Sequence, residues 1–91
     1  MENTENAKVV REEFRGKMYN IHSSNLAKIG FHYDRTLRVG VVRVEFKKGN
    51  VYEYWPVKKE LYSEAFGNPS IGSWFQTNFT KNKELNYEKM Q

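Results

Sequence analysis

The chain contains no cysteine, which excludes disulfide bonds, thiolate zinc sites and iron–sulfur clusters. Histidine and aspartate are scarce as well: His22 and His32 are the only histidines, and Asp34 is the only aspartate. Their spacing matches no metal-ligand motif, and no close pair of carboxylates suggests glycosidase chemistry. The sequence also lacks a phosphate-binding loop, a dinucleotide fingerprint and an activated nucleophile. We therefore expect a protein that is not an enzyme and binds no metal or cofactor.

Long apolar runs are missing too, since no stretch approaches the ~18 residues that a membrane-spanning helix needs. Residues 1–8 lack the apolar centre of a secretory signal peptide. The sequence therefore predicts a cytoplasmic protein with no membrane partner.

The 91 residues suffice for one small domain, with little room for a deep catalytic pocket that excludes water. Aromatic side chains make up 15% of the chain, and we expect most of them to fill a thin core.

The net charge of +4 is concentrated in the middle of the chain. Residues 1–20 and 61–91 are each balanced in charge, whereas residues 21–60 carry eight basic against four acidic side chains. Localised positive charge favours a nucleic acid, a nucleotide or an acidic protein surface as partner, although it is also compatible with an ordinary solvated surface.

Residues 1–20 form an amphipathic extension in which Ala7, Val10, Phe14 and Met18 recur at spacings of three and four. This period predicts a helix with one apolar stripe, interrupted by Gly16. The helix could pack on its own domain, pair with a second copy or fray. Val10, Phe14 and Met18 are accordingly the candidate partner-binding residues.

The pattern changes to strands after Ser23. Apolar residues alternate with other residues from Ala27 to Tyr33, and residues 34–36 read as a turn. The valine-rich run from Leu37 to Phe46 changes phase next to Gly40, which predicts a bulge or kink there.

The segment "KKGN", residues 47–50, is typical of a hairpin turn. A three-residue loop of residues 47–49 places Tyr52 and Tyr54 on the core face, opposite Val44 and Val42. A two-residue loop of residues 48–49 would place both tyrosines on the polar face. The apolar phases of the two strands favour the first arrangement, which leaves Trp55 on the other face.

Two helices are predicted after the hairpin. Pro56 suits the first turn of one helix, and Ser70 is a suitable N-cap for the other. The predicted fold is α+β: a small antiparallel three-stranded meander followed by two helices packed on one face, with an N-terminal helical extension. The predicted domain spans residues 21–80, and the tail, residues 81–91, either extends the last helix or is disordered.

Four segments in this order resemble the KTSC domain, a module found at the C-terminus of some lysyl-tRNA synthetases and alone in small bacterial and phage proteins. They are "SSNLAKIGFHYD", "VRVEFKKGNVYEYW", "ELYSEAF" and "SIGSWF". Tyr52-Glu53-Tyr54 matches the family's tyrosine pair, and residues 70–75 match its serine–glycine step and aromatic pair. The chain departs from the family pattern by extra residues around Gly40 and by Pro56 preceding Val57. The attachment to a tRNA synthetase implies a role connected with RNA.

We therefore expect a small binding module that binds RNA or single-stranded DNA weakly, with basic side chains on phosphates and one ring stacked on a base. The candidate residues are Arg43, Lys47, Lys48, Trp55, Lys58 and Lys59. The alternatives are a protein-interaction module, such as a phage-type inhibitor or adaptor that binds an acidic partner, and a homo-oligomer that sequesters small nucleotides.

Overall fold

The fold is built on one antiparallel sheet with a short helical layer on one of its faces. The structure, a computed structural model, describes residues 14–90. In chain order the elements are β1 (Met18–Asn20), β2 (Leu26–Asp34), β3 (Val39–Phe46), β4 (Val51–Val57), α1 (Lys59–Ser63), a 3-10 turn (Ala65–Gly67), α2 (Ile71–Phe75), a π-helical turn (Gln76–Thr80) and β5 (Asn86–Lys89). The strands lie side by side in sequence order. No helix in the described part of the chain is long and apolar enough to cross a membrane.

The sheet has five strands, so the prediction of a three-stranded meander is wrong. The predicted strands are β2, β3 and β4, and the chain adds one strand at each edge. Tyr19 of β1 pairs with Ile29, and Tyr87 of β5 pairs with Tyr54. Neither added strand has the alternating apolar pattern of a half-buried strand. Consistent with this, all of β5 and most of β1 are exposed. β1 and β5 are therefore strands because their backbones pair with β2 and β4.

The prediction of an N-terminal helix is also wrong for those of its residues that the structure describes. Residues 14–17 have no regular secondary structure, and Met18 begins β1. Gly16 lies so close to β2 that a Cβ atom there would collide with the backbone oxygen of Phe31. Ala7 and Val10, the other residues of the expected stripe, lie outside the described residues. The tail is likewise neither helical nor disordered throughout, because it contains β5.

The hairpin between β3 and β4 confirms the three-residue loop. Val44 pairs with Tyr52 and Val42 with Tyr54. The backbone N–H of Phe46 donates to the oxygen of Asn50 at 2.8 Å, and Gly49 has a φ of 103°. This left-handed conformation explains why glycine occupies the last loop position.

The helix after β4 begins at Lys59 instead of Pro56, which lies inside the strand. Between the pairs Gly40–Val57 and Val42–Tyr54, β4 advances three residues while β3 advances two. The expected irregularity near Gly40 is therefore present, but the extra residue belongs to β4. Proline is compatible with this position because a bulge interrupts the hydrogen-bond ladder.

Both faces of the sheet are covered, which explains the two phases of valine in β3. Val42 and Val44 face the helices, where Trp74, Phe75 and Phe79 form the main core with them. Val41 packs with Trp55 on the opposite face, beneath Phe14 and Leu37. As predicted, Ser70 caps α2, since its hydroxyl accepts the backbone N–H of Ser73 at 3.2 Å.

Candidate nucleic-acid interface

Three tyrosine rings cluster on the helical side of β4 and β5. Tyr52 and Tyr54 are two residues apart on β4 and therefore share a face, and the register places Tyr87 directly opposite Tyr54. The ring centroid of Tyr54 lies 5.9 Å from that of Tyr87 and 6.4 Å from that of Tyr52, with the ring planes 30° and 27° apart. The Tyr52 and Tyr87 centroids are 6.3 Å apart with ring planes 39° apart, so the three rings form a compact triangular cluster.

These tyrosines line an open groove of about 680 Å³, which we call the tyrosine groove. The hairpin contributes one end, and the segment from the π-helical turn to β5 contributes the wall. Its remaining lining residues are Phe46, Asn50, Phe79, Thr80, Asn82, Lys83 and Leu85. The groove therefore combines aromatic faces with amide, hydroxyl and ammonium groups, a composition suited to a ligand that is both aromatic and polar.

The exposed fraction differs strongly among the three tyrosine rings. Tyr87 is 66% exposed, Tyr52 is half-buried, and Tyr54 is only 7% exposed because it packs edge to face on Phe75 and Phe79. Burial, followed by the neighbouring Tyr52 and Tyr87 hydroxyls, raises the pKa of Tyr54 to about 12. The Tyr54 hydroxyl consequently keeps its proton in more alkaline solution than an exposed tyrosine does. Tyr87 offers the most accessible ring face.

Four lysines surround the tyrosine groove. Lys47 and Lys48 lie in the exposed hairpin turn between Phe46 and Asn50, which both line the groove. Lys83 belongs to the lining itself, and Lys89 lies opposite Tyr52 and therefore on the same face of the sheet. Cationic groups are thus available beside the rings, as binding of a phosphate backbone requires.

Trp55, the ring predicted to stack on a base, is buried. Its exposed fraction is 8%, and it packs with Val41 beneath Phe14 and Leu37. The face assignment was correct, because Trp55 lies opposite the tyrosine side of β4. Phe14 of the N-terminal segment and Leu37 cover that face. Trp55 therefore has no free ring face for a base.

Arg43 is bound within the protein. Its Nε and Nη2 atoms donate to Oε2 of Glu53 at 2.8 and 2.5 Å, and Glu53 is fully buried. The Arg43 guanidinium carbon also lies 4.4 Å from the ring centroid of Phe14. Releasing Arg43 to a phosphate would leave a buried carboxylate without its counter-ion, which is costly. The structure thus separates Arg43 from the other predicted basic residues.

The remaining predicted lysines lie at opposite ends of β4. Lys47 and Lys48 precede the strand, whereas Lys58 and Lys59 follow it, and all four are exposed. Lys59 also lies over the ring of Tyr33, with Nζ 5.4 Å from the ring centroid. The predicted residues do not form one patch, but one pair of lysines precedes the tyrosine cluster along β4 and the other pair follows it.

The predicted partner-binding residues have internal contacts. Phe14 packs against the Trp55 cluster and lies over Arg43, while Met18 is half-buried in β1. Val10 lies outside the described residues. Phe14 and Met18 therefore hold the N-terminal segment on its own sheet.

The sequence did not predict Tyr87, Lys83 and Lys89 as site residues, because it did not predict β5. The segment "NYEK" alternates aromatic and basic residues with polar ones, but four exposed residues carry too little hydrophobic pattern to predict a strand. Within residues 14–90, no group of three histidine, aspartate or glutamate side chains could hold a metal ion.

Comparison with known proteins identifies the family. The family model of the KTSC domain matches residues 22–82, which include β2, β3, β4 and both helices. A KTSC domain protein from Yersinia pestis, known from its crystal structure, has the same fold with a TM-score of 0.64 and 19% sequence identity. The similarity covers 84% of this chain and 99% of that one. A search of curated proteins found no match. The order of strands and helices and the matched residues together establish that this chain belongs to the KTSC domain family.

Proposed function

We propose that this protein binds single-stranded nucleic acid, with bases in the tyrosine groove and phosphates on the lysines around it. The observation that carries the proposal is the cluster formed by Tyr52, Tyr54 and Tyr87, in which the Tyr87 ring is largely exposed. Aromatic side chains on a sheet bind unpaired bases by stacking, and each stacked base contributes about 1–3 kcal/mol. One or two stacked bases correspond to weak binding.

The shape of the site favours a single strand over a duplex. Tyr87 and Tyr52 present ring faces, which are accessible only to bases that are not stacked in a helix. Asn50 and Asn82 add amide groups that could bond base edges.

The charges support a salt-dependent contribution from phosphates. Lys47, Lys48, Lys83 and Lys89 surround the groove, and no ion pair within residues 14–90 occupies any of them. Each phosphate neutralised by a lysine releases counter-ions, so affinity should fall as salt rises, with a slope of about −0.7 per contact for a single strand. The modest net charge of +4 agrees with few such contacts.

Fluorescence anisotropy with labelled oligouridylate, oligothymidylate and a duplex tests this proposal. We expect both single strands to bind, the duplex to bind less, and affinity to fall with salt. Tyr87→Ala should weaken binding about fivefold or more, the equivalent of one lost stack. The double variant Lys47→Ala, Lys48→Ala should reduce the salt slope by about 1.4.

The control is the double variant Lys17→Gln, Lys28→Gln, which removes two exposed lysines near the β1 edge, away from the groove. An affinity that is independent of salt concentration and unchanged by Tyr87→Ala would contradict the proposal. Competition by a mononucleotide at similar concentration would assign the groove to small nucleotides instead. The relative affinities of the two oligomers distinguish RNA from DNA.

A binding role without catalysis, in the cytoplasm where RNA is available, completes the proposal. Incubation of the labelled strands with the protein should leave their length unchanged. Cleavage that disappears in Tyr87→Ala would contradict the non-catalytic part while preserving the site.

One observation favours protein binding as a second candidate function. Tyr19 and Phe66 are 45% and 53% exposed, and their rings meet edge to face at 5.9 Å beside the edge strand β1. Paired exposed rings are enriched in protein interfaces. Self-association that is lost in Phe66→Ser would support this function, and a monomer at all concentrations would exclude a homo-oligomer through this surface.

A further inference from the structure

A second basic surface forms at the end of the sheet farthest from the hairpin. Tyr33 pairs with Gly40, and Gly40 pairs with Val57, so the turn after β2 lies beside the exit of β4. Adjacent strands are about 4.8 Å apart, which brings the two connections within about 10 Å. Four exposed basic residues, which we call the basic end, meet there: Arg35, Arg38, Lys58 and Lys59.

The charges of the basic end are available to a ligand. Within residues 14–90 none of the four side chains forms an ion pair, although Lys59 lies over Tyr33. Two carboxylates are near in the chain. Asp34 is engaged in the turn, where Oδ1 accepts the backbone N–H groups of Thr36 and Leu37 at 2.8 and 3.0 Å, and Glu60 is exposed. Positive charge therefore exceeds negative charge at this end.

The basic end lies in line with the tyrosine groove along β4. Lys58 is four residues beyond Tyr54, which corresponds to roughly 13 Å of strand. Lys48 lies four residues before Tyr52, at the other end. The basic hairpin and the basic end thus lie on either side of the tyrosine cluster along β4, and this order matches an extended polyanion whose bases occupy the middle.

We propose that the basic end is a second phosphate-binding site for the same nucleic-acid strand that occupies the tyrosine groove. This inference rests on the proposed function and specifies its footprint. A short strand fills the groove alone, whereas a longer strand also reaches the four basic side chains. Arg35 and Arg38 thereby become binding residues, although they are distant from the groove in sequence.

The test measures affinity for single strands of about 4 and about 16 nucleotides, lengths that bracket typical single-strand sites. The variant is Arg35→Gln, Arg38→Gln, which removes two charges and keeps side chains of similar length. Arg38 has a φ of 61°, so a glutamine there experiences the same backbone geometry. Lys17→Gln, Lys28→Gln is the matched control of equal charge change, and thermal unfolding verifies that all variants fold.

We expect the arginine variant to bind the short strand like the control variant and the long strand more weakly than the control. Two lost contacts reduce the salt slope for the long strand by about 1.4, so its deficit shrinks about sevenfold between 50 and 200 mM salt. Equal behaviour of the two variants on the long strand overturns this inference alone. Failure of Tyr87→Ala to weaken the short strand overturns the proposed function instead, so the two failures are distinguishable.

Discussion

Tyr54 and Tyr87 lie directly opposite each other on β4 and β5, with ring centroids 5.9 Å apart and ring planes 30° apart. One ring is buried against the helical layer, and the other is largely exposed. The same pair of residues therefore joins the hydrophobic core to the surface that we propose for nucleic-acid binding.

This division of roles predicts opposite effects of two alanine substitutions. Tyr54→Ala removes a ring that packs on Phe75 and Phe79 and should lower the free energy of unfolding by about 3–5 kcal/mol. Tyr87→Ala should cost less than about 1 kcal/mol, because most of its ring is in solvent. Urea unfolding measures both, and equal costs would contradict the assignment of Tyr54 to the core and Tyr87 to the surface.

Stability should fall in alkaline solution through the buried Tyr54 and the half-buried Tyr62. Burial raises the pKa of Tyr54 and of Tyr62 to about 12, from an ordinary value of 10.0. Because the folded protein favours the neutral phenols, their stabilising contribution is complete below pH 10 and is lost as the pH rises from 10 to 12. Phenolate absorbance should report two late-ionising tyrosines, and Tyr54→Phe should remove one of them. Unchanged stability between pH 10 and 12 would disprove this linkage.

Removing one partner of the ion pair between Arg43 and Glu53 should lower the free energy of unfolding strongly. Replacing both partners by apolar residues should lower it much less. Arg43→Ala leaves the Glu53 carboxylate buried without a counter-ion and should destabilise the fold by about 3–5 kcal/mol. Arg43→Met with Glu53→Leu removes both charges and should recover most of that loss. A double-mutant cycle measured by urea unfolding gives the coupling. A single substitution that costs less than about 1 kcal/mol would mean that solvent reaches Glu53.

Gly49 and Gly67 form a matched pair for backbone conformation. A Cβ atom at either position meets nothing within 4 Å, but only Gly49 has a positive φ, of 103°. Gly49→Ala should therefore destabilise the protein by about 1–2 kcal/mol through backbone strain alone. Gly67→Ala should be neutral or stabilise by up to about 1 kcal/mol, since alanine restricts the unfolded chain. Thermal unfolding compares them, and equal effects would contradict the left-handed turn.

Local patterns were sufficient for the central hairpin and for α2. The "KKGN" segment and the phases of valine and tyrosine predicted the pairing of Val44 with Tyr52, which the structure confirms. Ser70 likewise marked the start of α2. These features depend on neighbours in the chain, on turn geometry and on side-chain alternation, which a sequence displays directly.

The edge strands and the covering of the second face could not be predicted in the same way. Residues 14–17 read as part of a helical stripe, yet Phe14 covers Trp55 and Arg43 on the opposite face of the sheet. β5 carries no core pattern at all. β5 pairs with the open edge of β4, which satisfies backbone hydrogen bonds regardless of side-chain pattern, whereas Phe14 is held by packing on the face of the sheet.

The sequence by itself determined the family, the three central strands, the inward direction of Tyr52 and Tyr54, and the concentration of basic residues around the hairpin. Only the tertiary structure decided which rings are accessible. It buried Trp55 beneath Phe14 and brought Tyr87 to the side of Tyr54. Accessibility depends on which distant segments pack over each face, and that long-range choice leaves no local period in the chain.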